Sequence, residues 1–310
     1  MVLKEIEISD IDISNQRFLI PFKKSPFELK KAIESIGVIN PPTLIRQDKD
    51  LYILTGFKRI HLSKEIGLVT IICKVVNQSE INFDECIKII YEDNKDRFTD
   101  IEIGQLCKKC LDNGYSIKEF LKLIDYPATE KNINRFNYLS RITKEILNYY
   151  LDQKISSEQC YLLTQISEED ALLIISKLII PFRFNTNETR ELIGDLNEIS
   201  IRDDLSISEL AGSILNCTEE TDKNSIRYEI KKLRSPRLIE AEKQFNEIVK
   251  TLKLPKNISL NHPIYFENNY IEFKARIDSD KKLTQLKNLF NDEENYKRFL
   301  RLLSLVREGL

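Results

Sequence analysis

Glycine is scarce in this sequence, eight residues in 310, so each one that falls beside a chemically active run asks for a reason. Long apolar runs are absent too. The longest, Ala171 to Ile180, is broken by Ser176 and Lys177 and falls short of the roughly 20 residues that cross a bilayer, so it reads as a core helix. The opening MVLKEIEISD alternates apolar and acidic side chains and lacks the charge layout of a secretory leader. Low-complexity tracts are missing. Cysteine is thin: Cys73, Cys86, Cys107, Cys110, Cys160 and Cys217 are scattered without the density of a secreted disulfide scaffold. A reducing cytoplasm is therefore the expected setting, with no membrane partner. Cys107 and Cys110 form a C-x-x-C, but no second pair follows at zinc spacing and the surrounding IEIGQLCKKCLDNG reads as one helix. An excess of positive charge is also lacking. The net charge is -2, so the whole chain gives no reason to bind a polyanion and local distribution must decide.

What is present is the mixture of a folded, helix-rich protein: 42% hydrophobic and 31% charged residues, on a length that suggests two or three domains. The first hundred residues alternate strand and helix signals. Ile6, Ile8, Ile11 and Ile13 belong to an opening extended segment, and Leu29, Ala32, Ile33 and Ile36 mark a helical face that Gly37 ends. After Pro41-Pro42, the runs TLIR and LYILT flank the polar connector Gln47 to Asp50, which suits a hairpin, and Gly56 stops the second run. A short helix follows, capped by Gly67, and VTIICKVV returns as a buried strand.

From about Phe83 strand signals nearly vanish. Ile117, Phe120, Leu121 and Ile124 make a helical stripe, Tyr126-Pro127 breaks it, and Ile133, Phe136 and Leu139 begin another: a helix, a tight turn and a helix. Residues 216–225 are polar, and Ser235-Pro236 punctuates a basic segment, so a flexible joint is expected there. Beyond it, Leu238 to Leu254 reads as helix. Ile264 to Phe266 and Tyr270 to Ile277 are expected to pair around Asn268-Asn269, before a helix carrying Leu283, Leu286 and Phe290.

Two local features bear on function. In LTGFKRIHLSKEIG, Gly56 precedes Lys58, Arg59 and His61 at a helix start, where a glycine admits an anion to the backbone and the cations supply charge-assisted contacts. The plainer reading is a strand stop followed by a solvated helix face. From Tyr115 to Lys144, six basic residues stand against three acidic ones, reversing the acidity of the whole. A strip from Lys223 to Lys256 is also rich in Lys and Arg, and reads either as a sequence-independent DNA contact or as an ordinary solvated helix.

This order, strand-Gly-basic helix, then helix-turn-helix, then an α-β-β-α tail, resembles the ParB family of bacterial chromosome and plasmid partition proteins. The likeness is carried by ELKKAIESIGVINPPTLIR, DLYILTGFKRIHLSKEIGLVTIICKVV, YEDNKDRFTDIEIGQL and SIKEFLKLIDYPATEKNINRFNYLSRITKEIL. It implies an α+β ParB/sulfiredoxin-like domain over 1–95 and an all-α helix-turn-helix domain over 96–220. A linker over 221–236 and a small αββα dimerisation domain over 237–310 complete the implied fold. It implies CTP and Mg2+ as cofactors, held by Gly56, Lys58, Arg59, His61, Glu92, Asn94 and Arg97, with Glu92 and Asn94 on the metal side.

The helix-turn-helix match implies double-stranded DNA as partner, met by Thr129, Glu130, Lys131, Asn134, Arg135 and Tyr138. Two-fold pairing of the tail implies a homodimer, and a nucleoid- or plasmid-associated protein with slow CTPase activity is the implied whole. Departures from the family pattern are local. Phe57 stands where a Glu is usual, Leu62 or a neighbour replaces a small residue, and Gln159, Cys160 and Leu162 occupy a segment where the family has His and Arg. The arm that contacts a partition ATPase is expected to be short or missing, since the first strand begins near Leu3. A DNA-binding regulator of the same fold without productive CTP hydrolysis is accordingly the alternative. A sulfiredoxin-like phosphotransferase would need a cysteine nucleophile in the loop where Phe57 stands.

Overall fold

The computed structural model describes residues 1–21, 27–217, 222–263 and 266–307. They form two compact units, Met1–Arg190 and Glu191–Leu310.

In the first unit, strands β1 (Val2–Glu7) and β2 (Ile11–Asp12) precede helix α1 (Phe27–Ile36), the hairpin β3 (Thr43–Gln47) and β4 (Asp50–Thr55), helix α2 (Phe57–Ile66) and strand β5 (Thr70–Asn77). The sheet order is β1-β5-β3-β4-β2, with β1 antiparallel to β5, β3 antiparallel to β4, and β3 parallel to β5. Residues of period two turn Ile6, Leu44, Ile53, Ile71, Cys73 and Val75 inward, where they enclose Ile60 of α2. The hairpin turns between Gln47 and Asp50, as the polar connector predicts, with Asp48 in the left-handed region at φ 54°.

Helices α3 (Phe83–Asn94), α4 (Asp100–Leu111), α5 (Ile117–Leu123), α6 (Glu130–Leu139), α7 (Lys144–Leu151) and α8 (Ser157–Leu163) follow. Several of them open on capping boxes, Asn82 with Glu85, Thr99 with Glu102, Ser116 with Glu119 and Ser156 with Gln159, which satisfy first-turn N–H groups. The apolar run read as a core helix begins in α9 (Glu168–Ile174), widens to a π-helical stretch over Ile175–Ile179, and ends in the short α10 (Ile180–Phe182). Helix α11 (Thr186–Asp203) runs from the first unit into the second.

No unit boundary falls near residue 95. Lys109 donates to the Arg17 carbonyl at 2.8 Å, Tyr115 hydrogen-bonds Asp84, and the rings of Phe83 and Tyr115 lie 5.6 Å apart. These contacts tie the α+β segment to the helices after it, whereas the sequence shows only the change of local structure.

The second unit holds α12 (Ile207–Cys217), α13 (Lys223–Arg234), α14 (Pro236–Thr251), β6 (Ile258–Asn261), β7 (Glu272–Ala275), α15 (Asp280–Asn291) and α16 (Glu293–Arg307). Two expectations are corrected. Residues 223–234 are helical rather than a linker, because Ile226 and Ile230 at i and i+4 bury one face of α13. The hairpin pairs Ile258–Asn261 with Glu272–Ala275, not residues 264–266 with 270–277, and Ile264 and Tyr265 lie outside the described residues. Phe245, Leu252, Ile258, Leu260, Phe299, Leu302 and Val306 share the core of this unit, so the terminal LLSLV segment packs inward. Among the described residues no helix is long and apolar enough to cross a membrane.

Candidate nucleotide pocket and nucleic-acid interface

Strand β4 ends at Thr55, and Gly56 turns the chain into α2 with φ 90°, a conformation that L side chains rarely adopt. A Cβ here would lie 2.8 Å from Pro42 Cβ, so the Pro41-Pro42 segment closes over the helix start only because position 56 is glycine. The bare cap leaves the first N–H groups of α2 uncovered by a capping side chain. They open on a cleft of about 830 Å³. One wall is apolar, with Phe18, Leu19, Ile20 and Pro21. The rest includes Gly56, Lys58, Arg59 and His61 of the α2 start, and Asn94 and Arg97 from the end of α3 and the turn after it.

The cations of this cleft differ in what they are committed to. Arg59 Nη1 donates to the Asn40 carbonyl at 2.5 Å and Nη2 to Asp93 Oδ2 at 2.6 Å, while Asn40 Nδ2 reaches Asp93 Oδ1 at 3.2 Å. Arg59 therefore lines the cleft but spends its fork on stapling the Pro41-Pro42 approach, α2 and α3 together. Lys58 is half-buried, and desolvation holds its amine below the ordinary lysine range, with Glu102 opposing the shift and Arg97 adding to it. His61 and Arg97 are exposed at the rim.

The expected metal-side pair is not brought together. Asn94 lines the cleft and anchors its amide on the Ile90 carbonyl at 2.8 Å, but Glu92 points elsewhere on α3, ion-paired with Lys95 at 2.6 Å. The reason is helical geometry: residues two apart on a helix face different directions. Among the described residues no carboxylate lines the cleft, and no group of three metal-ligating side chains occurs. A polyphosphate fits the donor set of Gly56, Lys58, His61 and Arg97; a protein-built Mg2+ site does not. Asp93, beside Glu92 and Asn94, is the carboxylate that shapes the pocket. Its only sequence signal is an acid within YEDNKDR, with no hint of which arginine it meets.

The segment expected to form a helix-turn-helix consists of α5, a turn and α6. Asp125 takes a left-handed turn at φ 53°, the Tyr126 ring sets its edge on Phe136 at 5.5 Å, and Asn132 Nδ2 donates to the Pro127 carbonyl at 2.8 Å. Thr129 caps α6 by accepting from the Asn132 N–H at 3.3 Å. Phe136 and Leu139 are fully buried, worth about 1.5–3 kcal/mol each relative to exposure. Helix α4 crosses closely at Gly104, where a Cβ would fall 2.7 Å from Leu139 Cβ. Thr129, Glu130, Lys131, Asn134 and Tyr138 are exposed.

Arg135 departs from the expectation that it faces a groove. Its Nε donates to Asp100 at 2.5 Å and its Nη2 to Glu158 at 2.7 Å, and its guanidinium lies 4.3 Å from the centre of the Tyr161 ring. Glu158 also takes Arg190 at 3.3 Å. The side chain is 18% exposed, held between α4, α6 and α8. Beside it, Glu102 is buried and accepts from the Thr99 N–H at 2.8 Å and from Tyr150 at 3.1 Å. Sequence reading missed Asp100, Glu158 and Tyr161, which carry no local mark of their role.

Other candidate contacts are internal. Gln159 donates to the Phe184 carbonyl and to Thr189, both at 2.9 Å, and Cys160 and Leu162 are buried, so this segment faces the core. In the basic strip, Arg227 meets Glu191, Lys231 meets Glu242, and Arg234 meets Asp195 and Glu198, which offsets part of its charge. The described thiols are buried, and burial pushes Cys107 and Cys110 up to about 12.

No protein-family model matches the chain, and no curated protein matches it. Solved structures do. A C-terminally truncated chromosome-partitioning protein ParB from Caulobacter crescentus, complexed to the centromeric parS site, is 14% identical over 62% of this chain and 98% of its own, with a TM-score of 0.34. The same truncated ParB complexed with CTP-γ-S is 15% identical over 58% and 99%, with a TM-score of 0.27. A Pnob8-like ParB-N domain is 16% identical over 62% and 96%, with a TM-score of 0.41. At this low identity, what the chain is similar to among solved structures is ParB.

Proposed function

We propose that this chain is a ParB-like, site-specific DNA-binding protein whose N-terminal cleft takes CTP. The observation that carries the reading is the presence, within one compact unit, of a glycine-capped cationic cleft and a helix-turn-helix with an exposed second helix. Lys58, His61 and Arg97 hold the phosphates, the α2 start offers its N–H groups, and the Phe18–Pro21 wall packs the apolar part of the ligand. When bound, CTP supplies a triphosphate polyanion, with any Mg2+ held chiefly by the nucleotide's own oxygens. Exposed Tyr270, Ile277, Leu283, Phe290, Tyr296 and Leu300 in the second unit support pairing with a second copy. In such a dimer, the nucleotide favours a closed clamp only if it binds that state more tightly than the open one.

The test is crosslinking at cysteines engineered into the N-terminal unit, with genomic DNA and each of the four ribonucleotides in turn. Closure with CTP alone supports the clamp. The second reading, a DNA-binding regulator without productive CTP hydrolysis, is favoured by the engagement of Arg59 with Asp93. Crosslinking indifferent to all four nucleotides, with DNA binding intact, selects it. A sulfiredoxin-like reaction lacks its nucleophile, since no thiol lines the cleft among the described residues and Phe57 stands before the Lys58-Arg59 pair.

A further inference from the structure

On α6 the side chains divide by what they already hold. Phe136 and Leu139 face the core, Asn132 is bound to the Pro127 carbonyl, and Arg135 is bound to Asp100 and Glu158. Opposite them, Glu130, Asn134 and Tyr138 follow one another at i, i+4 and i+8, a single exposed stripe along the helix. Asn134 is its midpoint.

We infer that Asn134 is the base-reading residue of α6, and that the base pair it meets presents adenine. The inference rests on the assignment of α5 and α6 as the DNA-binding element. A carboxamide carries an acceptor and a donor side by side, the complement of adenine N6 and N7 in the major groove. Guanine, with two acceptors, is read by an arginine or a lysine; the arginine of this helix has its fork closed on two carboxylates with Tyr161 against its face, and Lys131 lies in the first turn, off the stripe that Asn134 centres. Arg135 is therefore a positioning residue. It fixes the azimuth of α6 on α4 and α8, and so decides that Asn134 projects outward. Tyr138, edge-on to Tyr161 at 6.2 Å, is steadied by the same ring.

The experiment is selection of bound duplexes from a randomised library by the full chain, repeated with Asn134→Ala and with Arg135→Lys. The unaltered protein enriches a motif with adenine preferred roughly five- to 150-fold at one position of each half-site. Asn134→Ala loses the preference at that position alone and keeps its salt dependence, since phosphate contacts are untouched. Arg135→Lys, which keeps a charge for Asp100, binds all sequences more weakly and selects the same motif. A motif unchanged by Asn134→Ala, a different base at the altered position, or a guanine preference lost with Arg135→Lys overturns the inference alone. Enrichment of no sequence by the unaltered protein overturns the DNA-binding reading beneath it. Because Asn134 is exposed, its variant folds, which circular dichroism verifies.

Discussion

Arg59 Nη2 and Asp93 Oδ2 lie 2.6 Å apart and join the start of α2 to the end of α3. Their side chains are 14% and 15% exposed, so neither charge has much water to fall back on. Asp93→Ala leaves the guanidinium without its acceptor and is expected to lower stability by about 1.5–3 kcal/mol. Urea denaturation measures it; a midpoint equal to that of the unaltered chain would show that the pair contributes nothing.

Gly56→Ala combines an unfavourable φ with a collision against Pro42, and is expected to destabilise by roughly 1–3 kcal/mol. Pairing it with Pro42→Gly removes the closest contact, that with Pro42 Cβ, but not the dihedral penalty. A double-mutant cycle should therefore show partial recovery, and strict additivity would deny the contact.

At the crossing of α4 and α6, Gly104→Ala places a methyl against Leu139 and is expected to cost about 1–3 kcal/mol by overpacking. The relief comes from moving α6, so DNA affinity should fall along with thermal stability. A variant of unchanged melting temperature would mean that the helices part freely.

Acid should weaken the clamp on Arg135. The hydrogen bond from Arg135 holds the Glu158 carboxyl below its ordinary value of 4.5, against desolvation, with the charges of Arg135 and Arg190 adding to the effect. The folded chain thus binds the proton less readily than the unfolded one, and falling pH favours unfolding. The advantage of the unaltered protein over Glu158→Gln is full above about pH 4.5 and shrinks as pH drops through the lower folded value. Denaturation at a series of pH values checks this; a difference that grows in acid contradicts it.

The thiols at positions 73, 86, 107, 110 and 160 are all buried, and burial pushes Cys73 and Cys86 up to about 11. Iodoacetamide, which reacts with thiolates, should leave these five unlabelled in the folded protein and modify them in urea. Rapid labelling of Cys107 or Cys110 under native conditions would reopen a redox role for the C-x-x-C.

Much of the fold is legible locally. TLIR and LYILT pair as their alternation predicts, Gly67 ends α2 in the left-handed conformation at φ 89°, and the Tyr126-Pro127 break separates α5 from α6. Ser116, Thr129 and Ser156 lie at helix starts because their side chains satisfy N–H groups two or three residues on. In the site, the glycine and cations of GFKRIH line one cleft with Asn94 and Arg97. Illegible were the fate of Glu92, turned toward Lys95, and the extent of helix over 223–234, where the polar run 216–225 and Ser235-Pro236 suggested a joint.

Sequence by itself determined where the strands and helices of the α+β segment form, that Gly56 precedes a cationic helix start, and that α6 presents an amphipathic face, because each depends on residues within a few positions of one another. Tertiary structure alone decided which cations remain available. Arg59 meets an acid 34 positions away, and Arg135 meets acids 35 and 23 positions away, so partners that folding brings together turned two expected ligand contacts into struts.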